Sequence, residues 1–415
     1  MGAPPALRAL ATNHLPCLTP LLHSRRVRTA ILGRLYEENP ELSDAQVAKL
    51  QALETELADA GSTALTHVPD DGGPELEQWR GIMAKHVDAG TSWLDAPWVD
   101  AEFYLYRRIL ACVEYFSTGL DPFQRQKDDG LRAAEAAVAG VAARANAASA
   151  QGASSASAEL FVLLSLWGNR LDLSLWPAAD EAAGASGERA AAAVEQALAA
   201  GTEALLWDDA PQVAERLVEG DGDRVDIIVD NAGFELVCDL TLADHLVSTG
   251  VANTVVIHAK AHPTFVSDAM EKDVEATVVA LESSSDEETA AMGARWRTHL
   301  EAGRWRVRED FWWVQPQPLW ELPQSLADVL AGSKMIFVKG DANYRRVLGE
   351  RDWPLDAPFA QIASYFPAPV CCLRTLKAEL GCGMDAAKID KAKETHPDDW
   401  MVAGRYGVVQ LGSIE

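Results

Sequence analysis

Basic residues are scarce in this sequence. Its 415 residues include 36 Lys and Arg against 62 Asp and Glu, which gives a formal net charge of −26 at pH 7. Nucleic-acid-binding proteins usually present a basic patch, and an acidic field repels phosphate backbones at long range. We therefore expect no nucleic-acid partner, and we expect any phosphorylated ligand to be a small molecule held by local cations.

Paired cysteines and long apolar runs are also lacking. The six cysteines show no CxxC spacing, which indicates neither a disulfide framework nor a zinc ribbon and is typical of a reducing compartment. No run of about 18 apolar residues occurs, so no membrane-spanning helix is predicted. Prolines interrupt the apolar content of residues 1–30, unlike a secretory signal peptide. We expect a cytoplasmic protein and leave a nuclear share open.

The composition changes near residue 205. Before it, helix formers dominate and β-branched residues are few. Apolar residues recur every three or four positions over residues 43–60, 101–116 and 158–167, the spacing of one helix face. The Ala-rich stretches 131–150 and 188–200 are also predicted to be helices. The pattern predicts an α-helical N-terminal domain over residues 1–205.

After residue 205, short apolar runs alternate with helical patterns. The runs are Arg224–Asp230, Thr254–Ala259, Lys334–Lys339 and Val370–Leu373. Near-continuous apolar strands are typical of parallel sheets that are buried on both faces. We predict an α/β class, with a Rossmann-like, doubly wound, mostly parallel sheet over residues 206–415. In such sheets ligands bind at the carboxyl ends of the strands.

Polar and mostly acidic residues follow the predicted strands. Asp230, Asp268 and Asp341 each come after a different one, and Asn231 adds a neutral oxygen. Carboxylates gathered at one edge repel each other unless a cation lies among them, and oxygen ligands favour Mg²⁺ or Mn²⁺. Lys and Arg at the same edge suit a phosphate. Asp239, in the helix after Asp230, is expected to be solvated.

Familiar nucleotide-binding motifs are absent. The segment VDIIVDNAG imitates a strand end of short-chain dehydrogenases, but no tyrosine is followed four positions later by lysine, as their catalytic pair requires. No GxxxxGK[ST] loop occurs, which excludes P-loop nucleotidases.

Several motifs together resemble the metal-dependent damage-control phosphatases. They are WVDAEFYLYRRI (98–109), LWGNRLDLSL (166–175), DNAGFELVCDL (230–240), FVSDAM (265–270), FWWVQPQPLW (311–320), VKGDANYRRVLGERDW (338–353) and RTLK (374–377). The last is similar to the motif of subgroup III, whose activity is on sugar phosphates. The resemblance spans about residues 80 to 380 and implies a helical part followed by a Rossmann-like part.

The resemblance also implies roles for individual residues. Asp230, Asn231 and Asp268 are similar to the metal ligands, with Mn²⁺ expected first and Co²⁺, Ni²⁺ or Mg²⁺ as alternatives. The implied substrate shell adds Glu235, Asp341, Asn343, Tyr344, Arg345 and Lys377. The expected reaction is hydrolysis of fructose 1-phosphate, fructose 6-phosphate or a similar metabolite. Asp230, Asp268 and Lys377 would be catalytic, and we favour metal-activated water over Asp230 as the nucleophile.

Two other functions stay open at this point. One is an S-adenosylmethionine-dependent protein carboxyl methyltransferase, an activity also attributed to members of this subgroup. Such a site should have a glycine-rich loop after the first strand, and residues 230–233 are a poor version of one. The other is a noncatalytic acidic binding protein, which the composition alone would allow. Neither the physiological substrate nor the oligomeric state follows from the sequence.

Overall fold

The fold places helices before a sheet and further helices on both of its faces. The computed structural model describes residues 31–174 and 198–412, with side chains described up to residue 168 in the first range. The first helices are α1 (Gly33–Glu38), α2 (Asp44–Ala58), α3 (Leu76–Ala89), α4 (Trp98–Val113), α5 (Tyr115–Thr118), α6 (Gln124–Ala133), α7 (Glu135–Gln151) and α8 (Ser155–Ser174). The later helices are α9 (Ala210–Glu219), α10 (Phe234–Ser248), α11 (Glu271–Glu282), α12 (Glu287–Glu301), α13 (Gln324–Leu330), α14 (Asp341–Val347), α15 (Phe359–Ile362) and α16 (Ala386–Thr395).

The sheet is mixed, and most of its pairings are parallel. Its strands are β1 (Leu205–Asp208), β2 (Arg224–Ile228), β3 (Thr254–Lys260), β4 (Trp305–Asp310), β5 (Met335–Lys339), β6 (Val370–Thr375) and β7 (Gly407–Gly412). Their order in the sheet is β1-β7-β6-β5-β2-β3-β4. Among these described strands, only β6 and β7 pair in the antiparallel sense. The five neighbouring strands β6, β5, β2, β3 and β4 therefore run in the same direction, and their carboxyl ends lie at the same edge of the sheet.

Alternating side chains of the central strands enter two separate cores. In β5, Met335 and Phe337 join the core under α7–α12, whereas Ile336 and Val338 join the core under α13–α16. Successive side chains of a strand point to opposite faces, so a fully apolar strand must be covered on both. The doubly wound α/β class predicted from the sequence is confirmed.

The N-terminal helices enclose a third core and meet the sheet through α4. This helix is buried along its whole length, Trp98–Val113. Phe103 packs edge-on against Phe265 in the loop after β3, with ring centroids 4.7 Å apart. In contrast, α7 and α8 share the core of the sheet, where Phe161 lies 4.6 Å from the ring of His245. The domain boundary near residue 205 stays a prediction.

Most of the predicted elements are present. The predicted helices at 43–60, 101–116 and 158–167 correspond to α2, α4 and α8, and residues 131–150 lie mainly in α7. The predicted helix at 188–200 lies mostly outside the described residues. The four predicted strands correspond to β2, β3, β5 and β6, whereas β1, β4 and β7 were not predicted. Among the described helices, none has the length and apolar character needed to cross a membrane.

A buried ion pair ties α10 to α12. The Asp244 carboxylate accepts hydrogen bonds from Arg295 Nη2 (2.6 Å), from His299 Nε2 (3.0 Å) and from Ser248 Oγ (2.8 Å). Burial by itself would raise the pKa of Asp244, but these hydrogen bonds lower it to about 2. A lowered carboxyl pKa stabilises the fold fully above its unfolded value of about 4, and the contribution is lost as the pH falls toward 2.

We expect Asp244→Asn to lower the free energy of unfolding at pH 7 by about 3 kcal/mol, because the substitution leaves Arg295 without a buried counter-charge. Asp129→Asn is the control, since its ion pair with Arg132 is exposed and should contribute little. Urea unfolding at pH 7 and pH 3 measures both variants. The deficit of Asp244→Asn should shrink at pH 3, and an equal deficit at both pH values would contradict the assignment.

Candidate active site

The chain after β2 and the loop after β3 are joined by backbone hydrogen bonds. The Asp230 carbonyl oxygen accepts from the Ala269 N–H at 2.7 Å, and the Ser267 carbonyl oxygen accepts from the Ala232 N–H at 2.6 Å. An isolated bridge pairs Asn231 with Asp268. The loop after β3 therefore folds back along the continuation of β2, and this brings Asp268 beside Asp230, as predicted from their positions at neighbouring strand ends.

The loop that carries Asp268 has an unusual backbone. Phe265 and Val266 have φ of 49° and 68°, in the left-handed region that costs non-glycine residues on the order of 1–3 kcal/mol. The Phe265 ring packs against Phe103 and Tyr106 of α4, with centroids 4.7 and 5.2 Å away. These contacts hold the loop in its strained form, so α4 helps to position Asp268.

Asn231 links three polar side chains. Its Nδ2 donates to Asp230 Oδ2 (3.0 Å) and to Glu235 Oε2 (2.7 Å). Its Oδ1 accepts from Ser267 Oγ at 2.6 Å. Asp230, Asn231, Glu235 and Asp268 thus form one connected group, which we call the carboxylate cluster.

Gly340 closes the cluster on the side of β5. It lies between β5 and α14 with φ of 86° and ψ of 168°, a conformation that is essentially restricted to glycine. A Cβ at this position would lie 1.9 Å from Asp230 Oδ2. Only a residue without a side chain therefore lets the Asp230 carboxylate occupy its observed position.

The carboxylate cluster is buried, and the charges of its members act on one another. Asp230 is 8% exposed and Asp268 is 2% exposed. Burial raises the pKa of Asp230 well above its ordinary value, and the charges of Asp268 and Glu235 add to the effect. Burial also raises the pKa of Asp268 to about 6, although Lys260, with Nζ 3.2 Å from Asp268 Oδ2, opposes the rise. If all of its carboxyl groups were ionised, the cluster would hold more negative charge than its neighbours neutralise.

The donor set suits an open site for a hard divalent cation. Within the described residues, no group of three or more His, Cys, Asp or Glu side chains is arranged so that it could hold a metal ion. Asp230 and Asp268 supply carboxylate oxygens, and an open set of this kind leaves ligand positions for water or phosphate. A cation would also relieve the repulsion that raises the pKa of Asp230. Ligation by Asn231 requires its amide to turn over, because Nδ2 now faces the carboxylates.

Besides the pair of Lys260 and Asp268, a second buried ion pair lies beside the cluster, and it shows that one expectation from the sequence was wrong. Asp239 was expected to be solvated, but it is fully buried, with Lys339 Nζ 3.1 Å away and Ser165 Oγ donating at 2.6 Å. Burial raises the pKa of Asp239 to about 7 although Lys339 lowers it. Lys339 also lies 3.5 Å from Glu235 Oε1. Lys339 is therefore a buried counter-charge that supports the cluster, and it does not lie on the surface.

A further acidic residue, Asp341, is bonded to residues at the end of β6 and just after it. Its Oδ1 accepts from Arg374 Nε at 2.6 Å and from the Lys377 backbone N–H at 3.3 Å. Burial would raise the pKa of Asp341, but Arg374 and then Arg345 lower it below the ordinary value. Lys377 is exposed, and its charge lowers the pKa of Asp230. Asp341 and Lys377 thus stand at the open side of the cluster.

The other predicted shell residues are less directly placed. Asn343 is fully buried, and its Nδ2 donates to the Lys339 carbonyl at 2.9 Å. The Tyr344 hydroxyl donates to Gln410 Oε1 of β7 at 2.6 Å, so it is directed into the core and not to the carboxylates. Arg345 donates to Glu350 and stacks on Trp98 with its Cζ 3.6 Å from the ring centroid. Their predicted roles stay predictions.

Two cavities flank this edge of the sheet. One of about 830 Å³ is lined by Arg345, Glu350 and the loop 315–318, and neither Asp230 nor Asp268 lines it. The other, of about 1050 Å³, is lined by Thr375 and Lys377 together with residues of α16. Because Lys377 is exposed whereas the carboxylates are buried, we expect a small anionic ligand to reach the cluster past Lys377.

Comparison with known proteins identifies the family. Residues 24–392 match the model of the damage-control phosphatase ARMT1-like domain. Damage-control phosphatase ARMT1 of Danio rerio is 31% identical over 404 residues, which cover 91% of this chain and 87% of that protein. The Mus musculus protein of the same name is 32% identical over 393 residues, covering 90% and 88%. The chain belongs to the ARMT1-like damage-control phosphatase family.

Membership of the ARMT1-like family makes this chain an enzyme of the phosphatase class and confirms the resemblance seen in the sequence. It does not favour the methyltransferase alternative, and subgroup III stays a prediction. Among solved structures, a DUF89 family protein from Pyrococcus horikoshii is 16% identical with a TM-score of 0.46, over 87% of this chain and 96% of that one.

Three residues that surround the carboxylate cluster and Asp341 were not assigned a role from the sequence. Lys260 at the end of β3 pairs with Asp268, Arg374 holds Asp341, and Gly340 makes room for Asp230. Arg374 and Gly340 stand inside the RTLK and KGDANYR motifs, so their positions were visible in the sequence. Lys260 had no such signal, because a lysine that ends a strand usually lies in solvent.

We expect Gly340→Ala to lower phosphatase activity by at least about 10²-fold, because its Cβ would displace the Asp230 carboxylate and misplaced active-site groups cost about that much. Gly152→Ala is a matched control. Gly152 has φ of 83° and ψ of −178°, and a Cβ added there would meet nothing within 4 Å. Thermal melts should show the cost of the left-handed backbone in both variants and a further loss from the clash in Gly340→Ala, so activity is compared well below both melting temperatures. Equal activity in the two variants would remove Gly340 from the site.

Proposed function

We propose that this damage-control phosphatase hydrolyses small sugar phosphates such as fructose 1-phosphate or fructose 6-phosphate, using a divalent cation. The observation that supports this most is the buried pair Asp230 and Asp268 with the exposed Lys377 near enough for its charge to act on Asp230. Carboxylates beside a lysine suit a cation and a phosphate that bind together. Asp341, which is only partly buried, suits a hydroxyl of a sugar.

Asp230 and Asp268 would hold the cation, with Asn231 as a third ligand once its amide has turned. Mn²⁺ is our first expectation, with Co²⁺, Ni²⁺ or Mg²⁺ as alternatives. When bound, such a cation neutralises charge on the phosphoryl group and favours attack by water. Lys260 then needs to compensate only part of the charge of Asp268, which it contacts at 3.2 Å.

Other residues of the chain would stabilise the phosphoryl group and orient the sugar and the water. The Lys377 ammonium would stabilise negative charge on the transferring phosphoryl group, the main requirement of phosphoryl transfer. Asp341, kept ionised by Arg374, is an acceptor for a sugar hydroxyl. Glu235, held by Asn231 and Lys339, is placed to orient water. We retain water as the nucleophile; a phosphorylated Asp230 trapped by rapid quench and mass spectrometry would contradict that choice.

We expect Asp268→Asn to lower kcat/KM for fructose 1-phosphate by at least about 10²-fold, because loss of a ligand should exceed the 10- to 100-fold effect of losing a ligand's supporting contact. Asp286→Asn makes the same chemical change at the N-cap of α12, where asparagine also caps well, and should leave activity unchanged. Phosphate release is measured after chelation and after adding back each metal. Activity that survives exhaustive chelation would contradict the metal requirement.

We expect Lys377→Met to raise KM and lower kcat, with kcat/KM reduced by about 10²-fold, as for the loss of one transition-state donor. A lysine beside the cluster repels a cation when no phosphate is bound, so Mn²⁺ should bind this variant as tightly as the wild type or more tightly. Lys388→Met is the control, because Lys388 lines the same cavity from α16. Wild-type kinetics in Lys377→Met would exclude a role in phosphate recognition.

A further inference from the structure

Residues of helix α4 on both sides of Glu102 contact Arg345 and Lys260, the cations that act on Asp341 and Asp268. Trp98, one turn earlier, stacks on Arg345. Phe103, the next residue, has its ring centroid 5.9 Å from Lys260 Nζ, and that lysine pairs with Asp268. Positions separated by four residues share a helix face, so Trp98, Glu102 and Tyr106 present one stripe. Glu102 therefore lies between Trp98, which contacts Arg345, and Tyr106, which contacts Phe265 in the loop that carries Asp268.

The Glu102 side chain differs from the other buried acids of the N-terminal helices. Asp100 bonds to His86, Glu75 to Arg107, and Asp121 to Lys127. Glu102 is 4% exposed, and its buried Oε2 has no hydrogen-bond partner among the described residues. The nearest cation that affects it, Arg345, is already bonded to Glu350.

An unpartnered buried carboxyl is costly, so its presence calls for an explanation beyond packing. Burial raises the pKa of Glu102 to about 7, although Arg345 opposes the rise. Near neutral pH the group is thus partly a neutral carboxylic acid, which both donates and accepts hydrogen bonds. A sugar hydroxyl also donates and accepts, and it matches such a group without bringing charge into the site.

We propose that Glu102 is a specificity-determining residue that hydrogen-bonds a hydroxyl of the sugar part of the substrate. This inference rests on the proposed function and extends it, since it assigns part of substrate recognition to the N-terminal helices. It identifies the preferred substrate class as polyhydroxylated phosphate esters. Phosphate esters without hydroxyl groups would make no use of Glu102.

The test compares fructose 1-phosphate with p-nitrophenyl phosphate, whose organic part has no hydroxyl group, in wild type and in Glu102→Met. We expect kcat/KM for fructose 1-phosphate to fall about 10- to 100-fold, the usual effect of losing one buried hydrogen bond to a ligand, mainly through KM. The value for p-nitrophenyl phosphate should stay within about twofold of wild type. Glu102→Gln retains hydrogen-bonding groups and should recover part of the loss.

The control is Asp100→Asn, on the same helix, where the carboxylate has His86 and Lys85 as partners. It should lower the melting temperature and leave the ratio of the two substrates unchanged, whereas Glu102→Met should leave the melting temperature equal or higher. Equal losses for both substrates in Glu102→Met, or no loss for either, would overturn the proposal.

A binding measurement separates failure of this inference from failure of the proposed function. Calorimetric titration of the phosphonate analogue of fructose 1-phosphate, which has no ester bond to hydrolyse, and of inorganic phosphate into Mn²⁺-loaded wild type and Glu102→Met measures binding without turnover. Weaker binding of the sugar phosphonate alone supports Glu102 even if no hydrolysis of fructose 1-phosphate is found. Unchanged binding of both ligands in Glu102→Met rejects the role of Glu102 even if hydrolysis is confirmed.

Discussion

Mutual repulsion of buried carboxylates is the constraint on which the rest of this site depends. Asp230, Asp268 and Glu235 lie together at one edge of the sheet, where burial makes each negative charge expensive. Two lysines counter it, Lys260 against Asp268 and Lys339 against Glu235 and Asp239. Both lysines are buried and come from strand ends, so the sheet supplies the compensation as well as the charge. The remaining excess is what a bound cation would neutralise.

The buried strands of the sheet are the part of the fold that the sequence predicted best. Continuous apolar runs identified β2, β3, β5 and β6, because a strand covered on both faces has a distinctive composition. The runs also located Asp230, Asp268 and Asp341 at one edge. The strands that were not predicted lie in the outer part of the sheet, where the signal is weak: β1 has four residues and β4 is charged and partly exposed. Their omission did not affect the site, because none of them carries a cluster residue.

The partners of the site's side chains could not be predicted from the sequence, because they depend on which helix covers which strand. Asp239 looked like a polar residue on an ordinary amphipathic helix, yet α10 is buried almost throughout and places it against Lys339. Tyr344 follows the Asp341 motif closely in sequence, but helix geometry turns its hydroxyl to Gln410. Glu102 stands inside the WVDAEFYLYRRI motif, but its role was not assigned, since a buried carboxyl without a partner is recognised only in the structure.

The strained loop at Phe265 and Val266 has a consequence for how the enzyme assembles. Its left-handed backbone is held by rings of α4, a helix that comes long before the sheet in the chain. Without those rings, the contacts that hold Asp268 in position are missing. The helical part thus serves as a template for the active site, although it contributes none of the carboxylate cluster itself. If the N-terminal helices were removed, or did not pack against the sheet, the sheet would be inactive even where it is correctly formed.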